Sequence, residues 1–158
     1  MIIADTSCLI LLSKIGRLNL LPQLFGGCRI TPAVAAEYGL AIPAWLEIQE
    51  PTARLPVQLL TRSIHAGEHS ALALALELPG SLLILDDEPA RRLAQQLQLR
   101  FTGTVGLLAL AKSQGLLLSV RPVVAELRAA GMWLSDAVAE RVCRAAGEYP
   151  EIQSINRK

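Results

Sequence analysis

The most informative hydrophobic pattern of the chain is an apolar run that ends in two carboxylates and continues into a helix. Residues 82–85 are four consecutive aliphatic residues, which is typical of a short strand buried on both faces of a sheet. Asp86 and Asp87 follow directly, and Pro89 with apolar residues at helical spacing predicts a helix after them. Ligands of open α/β sheets bind where strands end in this way. A helix N-cap would explain one of the two carboxylates and leave the other without a structural role.

The same order of strand, carboxylate and helix opens the chain. Residues 1–4 are apolar, Asp5 follows them, and Ser7 is the predicted N-cap of the helix that begins there. Further strands are predicted at residues 28–30, 45–48 and 99–101, and a single helical turn near residues 57–61. Further helices are predicted over about residues 18–25, 32–40, 67–78, 89–97, 105–114, 119–130 and 135–146, with Thr104, Ser119 and Ser135 as the caps of the last three.

Strands that alternate with helices predict an α/β fold, in which a parallel sheet carries helices on both faces. Because parallel strands end at one edge of the sheet, Asp5 can converge there with Asp86 and Asp87. Glu68 begins the apolar face of its predicted helix, so it can join them. Glu37 can do the same from a predicted face that it shares with Ala33, Ala36 and Leu40. The sequence therefore predicts four or five carboxylates at one sheet edge.

Such a cluster of acids would repel itself strongly unless a cation lay within it. Ligand sets made of oxygen atoms favour Mg²⁺ or Mn²⁺ over zinc, and these ions suit phosphodiester hydrolysis because they activate water and neutralise phosphate. The order of the acids argues against two other acidic α/β folds. A response-regulator receiver has its acidic pair after the first strand, and a haloacid-dehalogenase-like phosphatase has Asp-x-Asp there. This chain has the single Asp5, followed by Thr6 and Ser7.

Composition limits the remaining possibilities. With 158 residues the chain is expected to form one domain over residues 1–147, followed by a polar tail at 148–158. The net charge of +1 gives no overall basic field, and the 4% aromatic content argues against a base-stacking sheet. Three widely separated cysteines, an acidic N-terminus and interrupted apolar segments predict a cytoplasmic protein with reduced cysteines and no membrane span.

Five segments of the chain together resemble the PIN-domain family. They are IIADTSCLI with Asp5, the helix with Glu37, the Gly67-Glu68 helix start, LLILDDEPAR with Asp86, and FTGTVGLLALAKSQG. The last three are similar to a branch of predicted nucleic-acid-binding PIN proteins that is similar to VapC-type toxins. The resemblance implies a five-stranded α/β/α sandwich, Mg²⁺- or Mn²⁺-dependent cleavage of RNA, and an antitoxin protein as partner. It leaves residues 119–146 outside the family's common core, where they could stabilise a homodimer or cover the sheet.

The resemblance also assigns roles to individual residues. The catalytic metal ligands would be Asp5, Glu37, Glu68 and Asp86, with Asp87 as a substitute or support for Asp86. The side chains that contact the substrate or support these ligands would be Thr6, Ser7, Thr102, Thr104 and Arg91.

Two other hypotheses remain open at the level of the sequence. His65, Glu68 and His69 match the His-x-x-Glu-His pattern of one class of zinc metallopeptidases. However, Gly67 is expected to mark a helix start, which would leave His65 outside the helix. The second hypothesis is a PIN-like module that binds a nucleic acid or a protein without cutting. Its candidate phosphate-binding residues are Arg62, Arg91, Arg92 and Arg100.

Overall fold

The computed structural model describes residues 1–53, 55 and 64–149, which form five strands and eight helices. The strands are β1 (Ile2–Ala4), β2 (Cys28–Ile30), β3 (Leu46–Ile48), β4 (Leu82–Ile84) and β5 (Arg100–Thr102). The helices are α1 (Thr6–Lys14), α2 (Leu20–Phe25), α3 (Pro32–Tyr38), α4 (Ala66–Glu77), α5 (Glu88–Gln96), α6 (Thr104–Ser113), α7 (Arg121–Ala129) and α8 (Asp136–Ala145). The turn predicted near residues 57–61, Arg62 and the chain after residue 149 lie outside the described residues.

The five strands form one parallel sheet in the order β3-β2-β1-β4-β5. The central pair, β1 and β4, runs in register from Ile2 opposite Leu82 to Ala4 opposite Ile84. The strand order reverses between these two strands, because β2 lies on one side of β1 and β4 on the other. Open α/β sheets form a ligand-binding crevice at such a switch point. The residues that follow β1 and β4 therefore flank this crevice.

The central strands divide the core between the two faces of the sheet. Ile2, Ala4 and Ile84 pack with side chains of α1, α2, α3 and α6 on one face. Ile3 and Leu83 pack with α4 and α5 on the other face. All five side chains are fully buried, which explains why both apolar runs lack polar alternation. The expected three-layer α/β/α architecture is confirmed.

The last two helices, α7 and α8, do not cover the sheet. Covering the sheet was one of the two roles expected for them from the sequence. Val123, Val124 and Leu127 of α7 pack against Leu108 of α6 and Leu20 of α2, in a cluster that is built, among the described residues, from helices and their connections. Both faces of the sheet are already covered by other helices, so this pair packs on the outside of the helical layer. A homodimer formed through these helices stays a prediction.

Two helix starts differ from the predicted caps. Asp5, not Ser7, caps α1, because its Oδ1 accepts a hydrogen bond from the backbone N–H of Cys8 at 2.9 Å. Gly103 precedes α6, and Thr104 is the first helical residue rather than the cap. In both cases a single residue, Asp5 or Gly103, separates the helix from the preceding strand, so that residue occupies the cap position.

The start of α7 also differs from its prediction, because its cap comes from a distant part of the chain. The Glu148 carboxylate accepts hydrogen bonds from the backbone N–H groups of Val120 (2.5 Å) and Arg121 (3.0 Å). Ser119, the predicted cap, instead donates its hydroxyl to the same carboxylate at 3.0 Å. Ser135 caps α8 as predicted.

The buried face of α3 is not the one that the sequence pattern indicated. Thr31 caps the helix, and Val34 and Tyr38, four residues apart, face the core. Glu37 and Leu40 are exposed, and the structure buries none of the four residues predicted to share the apolar face: Ala33, Ala36, Glu37 and Leu40. The seven-residue helix is too short for the spacing of alanines to decide its orientation.

All three cysteines are free and buried, as predicted. Among the described residues, no helix combines the length and the apolar character that a membrane crossing requires.

Candidate active site

Asp5 is the most deeply buried acid of the candidate site. Its backbone N–H donates to the carbonyl of Ile84 at 3.3 Å, which fixes it beside the end of β4. The residue is 0% exposed, and while Oδ1 caps α1, Oδ2 has no hydrogen-bond partner among the described residues. Burial, and next the negative charge of Asp86, raises the pKa of Asp5 to about 8. A buried carboxylate with a free oxygen is unfavourable unless a proton or a cation accompanies it.

Asp86 and Asp87 have different roles, which the sequence left open. Asp87 is the N-cap of α5 and accepts a hydrogen bond from the backbone N–H of Ala90 at 2.9 Å. Asp86 instead reaches the start of α6, where it accepts the backbone N–H (2.9 Å) and the hydroxyl (2.5 Å) of Thr104. Because Asp86 also contributes to the raised pKa of Asp5, it is the partner of Asp5 at the switch point. The geometry therefore favours Asp86 over Asp87 as the principal acid after β4.

The positively charged side chain of Arg91 lies near Asp86. Arg91 Nε donates to the carbonyl of Leu85 at 2.7 Å, which holds the guanidinium against the end of β4. A Cβ atom at Gly103 would collide with Nη2 of Arg91 and would lie 2.9 Å from Oδ1 of Asp86. Glycine at position 103 is thus required for the close approach of these two side chains to the start of α6.

Glu68 joins the site from the first turn of α4. Its Oε2 accepts the backbone N–H of His65 at 2.8 Å, which is the side chain to backbone half of a capping box. The residue is only 7% exposed, and burial raises its pKa. The hydrogen bond from His65 opposes this rise, whereas the charges of Asp87 and Glu37 add to it. The mutual effect of these charges places the three acids in one electrostatic cluster.

Glu37 reaches the cluster although its own position on α3 is exposed. Its Oε2 accepts the hydroxyl of Thr6 at 2.7 Å, and its Oε1 accepts the backbone N–H of Gly67 at 2.9 Å. A Cβ atom at Gly67 would lie 2.5 Å from Oε2 of Glu37, so only glycine permits this contact. The buried face predicted for Glu37 was wrong, but these two contacts bring Glu37 to the start of α4 beside Glu68.

The predicted hydroxyl residues divide into two groups. Thr6 and Thr104 bind Glu37 and Asp86 respectively, and Ser7 lines the cleft that Asp86 also lines. Thr102 is not brought to the acids. Its hydroxyl lies against the backbone of Gly103 and Gly106 under the first turn of α6, so the described contacts do not tie it to a carboxylate, and its role as a substrate-contacting residue stays a prediction.

The acids open into a cleft of about 900 Å³. Glu68, Asp86, Asp87 and Arg91 line it, whereas Asp5 is buried and does not. The carboxylate oxygens and the unpartnered Oδ2 of Asp5 are the donor set that a hard divalent cation prefers. No three His, Cys, Asp or Glu side chains of the described residues are close enough together to hold an ion. Most of these carboxylates are engaged by hydrogen bonds, so cation binding requires some of them to turn.

The zinc hypothesis gains no support from this geometry. His65 precedes α4, as the position of Gly67 predicted, and within residues 1–53, 55 and 64–149 Glu68 and His69 belong to no cluster of three side chains that could hold a metal ion. Of the arginines predicted to form a phosphate-binding patch, Arg91 and Arg92 both belong to α5 but differ in their surroundings. Arg91 lines the cleft, while Arg92 lies 3.8 Å from Glu88 on the helix surface.

The cleft also has a wall that the sequence analysis did not assign to the site. Trp133 and Arg141, from the α7–α8 turn and from α8, line it together with the acids. The available signal was Trp133 itself, a large aromatic residue two positions after Gly131, in the short segment between two predicted helices.

Comparison with known families agrees with this fold. A family model described as a PIN domain matches residues 1–148, which include the acidic cluster and both α7 and α8. Comparison with curated proteins and with solved structures returned no significant match.

Proposed function

Because the chain belongs to the PIN-domain family, we propose that it is a ribonuclease that hydrolyses RNA phosphodiester bonds internally and depends on Mg²⁺ or Mn²⁺. PIN domains are generally nucleases and typically use divalent metal ions. One observation carries the proposal for this chain. At the switch point of the sheet, the buried Asp5 has a free carboxylate oxygen and a pKa raised to about 8, next to Asp86.

The ligands of the ion would come from Asp5, Glu37, Glu68, Asp86 and Asp87. A bound Mg²⁺ or Mn²⁺ would supply neutralising charge and an activated water. Thr104 orients the Asp86 carboxylate through two hydrogen bonds, and the backbone N–H of His65 orients Glu68.

The substrate phosphate requires positive charge from the chain itself. Arg91 is anchored through Nε at the carbonyl of Leu85, and its terminal nitrogens, which have no hydrogen-bond partner among the described residues, would bind a phosphate in the cleft. Gly103 leaves room for the guanidinium beside Asp86. The site would thus combine carboxylates that bind a metal ion with an arginine that binds a phosphate.

The test is a map of cleavage sites in a complex RNA sample. Total RNA is incubated with the protein and Mn²⁺, and new 5′ ends are identified by sequencing. We expect new ends with the wild type and none above background with Asp86→Asn. Asp87→Asn is the comparison variant, because Asn retains the capping role of Asp87 and the loss of a supporting ligand should reduce the new ends much less than Asp86→Asn does. Identical profiles of new ends for wild type and Asp86→Asn would contradict the proposal.

We further propose that the protein is the toxin of a toxin–antitoxin pair. The support is the similarity of the Gly67-Glu68 helix start, the turn at Asp86 and the segment 101–115 to the branch of PIN proteins that is similar to VapC-type toxins. Induced expression of the wild type is expected to arrest bacterial growth, whereas Asp86→Asn is not. Equal growth of both strains at equal protein levels would contradict the toxin role.

A binding module that does not cut is the second candidate. It is favoured by the observation that no ready-made set of three metal-binding side chains exists in the part of the chain that the structure describes. In that case RNA binding would persist in EDTA, Mn²⁺ would leave stability unchanged, and the sequencing experiment would show no new ends.

A further inference from the structure

Trp133 lies in the turn between α7 and α8 and is 89% exposed. It lines the same cleft as Glu68 and Asp86, although α7 and α8 pack outside the layers that cover the sheet. Tryptophan is a large, mostly apolar residue that is usually well buried. The hydrolytic chemistry proposed above gives this ring no role, so its position at the acidic cleft requires another explanation.

The turn that carries Trp133 is anchored on both sides of the ring. Met132 and Leu134 are partly buried against the cluster formed with α7 and α8. The backbone N–H of Met132 donates to the carbonyl of Leu127 at 3.0 Å, and Arg128 Nη2 donates to the carbonyl of Leu134 at 2.7 Å. The backbone on both sides of the ring is therefore held in place, so binding of a ligand need not order the turn, which lowers its entropic cost.

Two arginines accompany the ring in the cleft. Arg91 extends from α5 and Arg141 from α8, and both line the cleft with Trp133. Within residues 1–53, 55 and 64–149, Arg141 belongs to none of the ion pairs. An aromatic ring beside positive charge is the combination by which proteins hold unpaired nucleic acids, with bases stacked on the ring and phosphates bound by the cations.

We propose that Trp133 is a base-stacking subsite for an unpaired nucleotide of the RNA, with Arg91 and Arg141 binding the adjacent phosphates. This inference rests on the proposed ribonuclease function and specifies how that site selects its substrate. A base inside a duplex does not expose its face, so the subsite favours unpaired segments at the bond that is cut. The low aromatic content argued against a stacking sheet, but one ring suffices for a subsite of one base.

A protein partner is the less favoured occupant of this surface. Protein docking generally uses a contiguous apolar patch, whereas Met132 and Leu134, the neighbours of Trp133 in the turn, are partly buried in the helical cluster although they also line the cleft. The cleft walls combine aliphatic side chains, among them Val105 and Val142, with acids and with Arg91 and Arg141. The two arginines favour RNA, because they are the groups that a chain of phosphates requires.

The first test uses the fluorescence of Trp133. The chain has two tryptophans, so Trp45→Phe leaves Trp133 as the single indole, and Asp86→Asn in the same protein keeps the RNA intact. This protein is titrated, with Mn²⁺, with a pool of short randomised single-stranded RNA, with the same pool annealed to its complements, and with inorganic polyphosphate. We expect the single-stranded pool to quench the emission and the other two probes to leave it nearly unchanged.

The second test measures affinity for labelled single-stranded RNA by anisotropy in the Asp86→Asn background. We expect Trp133→Ala to weaken binding roughly tenfold and Trp133→Phe to weaken it much less, because a smaller ring still stacks. Tyr149→Ala is the matched control, since Tyr149 is an aromatic residue with 75% exposure that is not part of the cleft. Its RNA affinity should stay unchanged.

The outcomes separate this inference from the ribonuclease proposal. Equal quenching by duplex or polyphosphate, absent binding, or an unchanged affinity of Trp133→Ala would overturn the subsite. So would a Trp133→Ala variant that loses self-association in sedimentation while it binds RNA normally. If Mn²⁺-dependent cleavage by the protein with intact acids persists in that case, the ribonuclease stands without the subsite. Selective quenching by single-stranded RNA without any cleavage would leave the subsite standing and the ribonuclease wrong.

Discussion

Asp5 and Glu148 are both largely buried carboxylates at the start of a helix, yet their surroundings are opposite. Glu148 is 12% exposed in its side chain and accepts hydrogen bonds from Lys112, Ser119 and two backbone N–H groups of the α7 start. Burial alone would raise the pKa of Glu148, but these partners outweigh it and lower the pKa to about 2. The pKa of Asp5 is raised to about 8, because Asp5 is buried beside the charge of Asp86 and forms no ion pair with a basic side chain of the described residues.

This difference indicates that the Glu148 carboxylate stabilises the fold, whereas the Asp5 carboxylate does not. The protein supplies hydrogen-bond donors for the ionised form of Glu148. Glu148 therefore stabilises the fold by joining the segment after α8 to the start of α7 and to Lys112 of α6. The ionised form of Asp5 is destabilising in the chain alone. We infer that the missing partner of Asp5 is the cation of the proposed site.

The largest effect is expected from Asp86→Asn on cleavage. Removing one ligand charge should lower the Mn²⁺-dependent cleavage rate by at least about a hundredfold, since bound cations contribute several kcal/mol to such reactions. Rates on an RNA identified by the sequencing experiment give the measurement. Asp87→Asn should lose much less, because its main contact is the cap of α5. The reverse order of the two variants would make Asp87 the principal ligand.

The second effect concerns Asp5→Asn without metal. Asn keeps the oxygen that caps α1 and removes the charge, so the variant should be more stable than wild type at pH 7 by on the order of a few kcal/mol. The pKa of Asp5 is raised in the folded state, so wild-type stability falls as pH rises from about 4 towards about 8.

Urea unfolding in EDTA between pH 4 and pH 8 measures this effect. The advantage of Asp5→Asn should grow with pH across that range. A wild type that is the more stable protein at pH 7 would show that the charge of Asp5 is already compensated by the chain.

The third effect has the opposite sign and is smaller. Glu148→Gln should destabilise the protein by about 2 kcal/mol at pH 7, because it removes the charge that Lys112 and the α7 start require. The pKa of Glu148 is lowered in the folded state, so this stabilisation is present above pH 4.5 and is lost as pH falls towards 2.

Thermal or urea unfolding at pH 7 and pH 3 checks this sign. Glu47→Gln is the matched control, since Glu47 pairs with Arg29 but is 65% exposed and should change stability by less than about 0.5 kcal/mol. Equal losses in both variants would remove the special role of Glu148.

The smallest effect is expected from Gly103→Ala. The new Cβ atom would push Arg91 from its place beside Asp86, and cleavage should fall roughly tenfold while stability changes by about 1 kcal/mol. Gly27→Ala serves as control, because a Cβ atom there would only make an ordinary contact of 3.6 Å with Trp45. Full activity of Gly103→Ala would show that the position of Arg91 is not important.

The features that depend on local sequence patterns, such as the central strands, were predicted correctly. The aliphatic runs before Asp5 and Asp86 correspond to β1 and β4, because strands buried on both faces have no polar alternation to confuse their assignment. The convergence of these acids followed from the parallel sheet. The five-stranded parallel sheet also agrees with the fold that the resemblance implied.

Contacts between residues that are far apart along the chain could not be predicted from the sequence. The choice between Asp86 and Asp87 depends on Thr104, which is 18 residues away from Asp86. Glu148 was assigned to a polar tail, because nothing in its own neighbourhood reveals a helix start 28 residues earlier. Trp133 was passed over because its importance arises from the cleft wall, which exists only in the folded chain.

The measurement that tests the metal site most directly is thermal unfolding against Mn²⁺ concentration for wild type, Asp5→Asn and Asp86→Asn. We expect the wild type to gain roughly 2–3 kcal/mol at a hundred times the dissociation constant, because the ion binds the folded state. Both variants should respond far less, although Asp5→Asn begins from a higher stability. A wild type that does not respond to Mn²⁺, or variants that respond as strongly as the wild type, would contradict a cation site at Asp5 and Asp86.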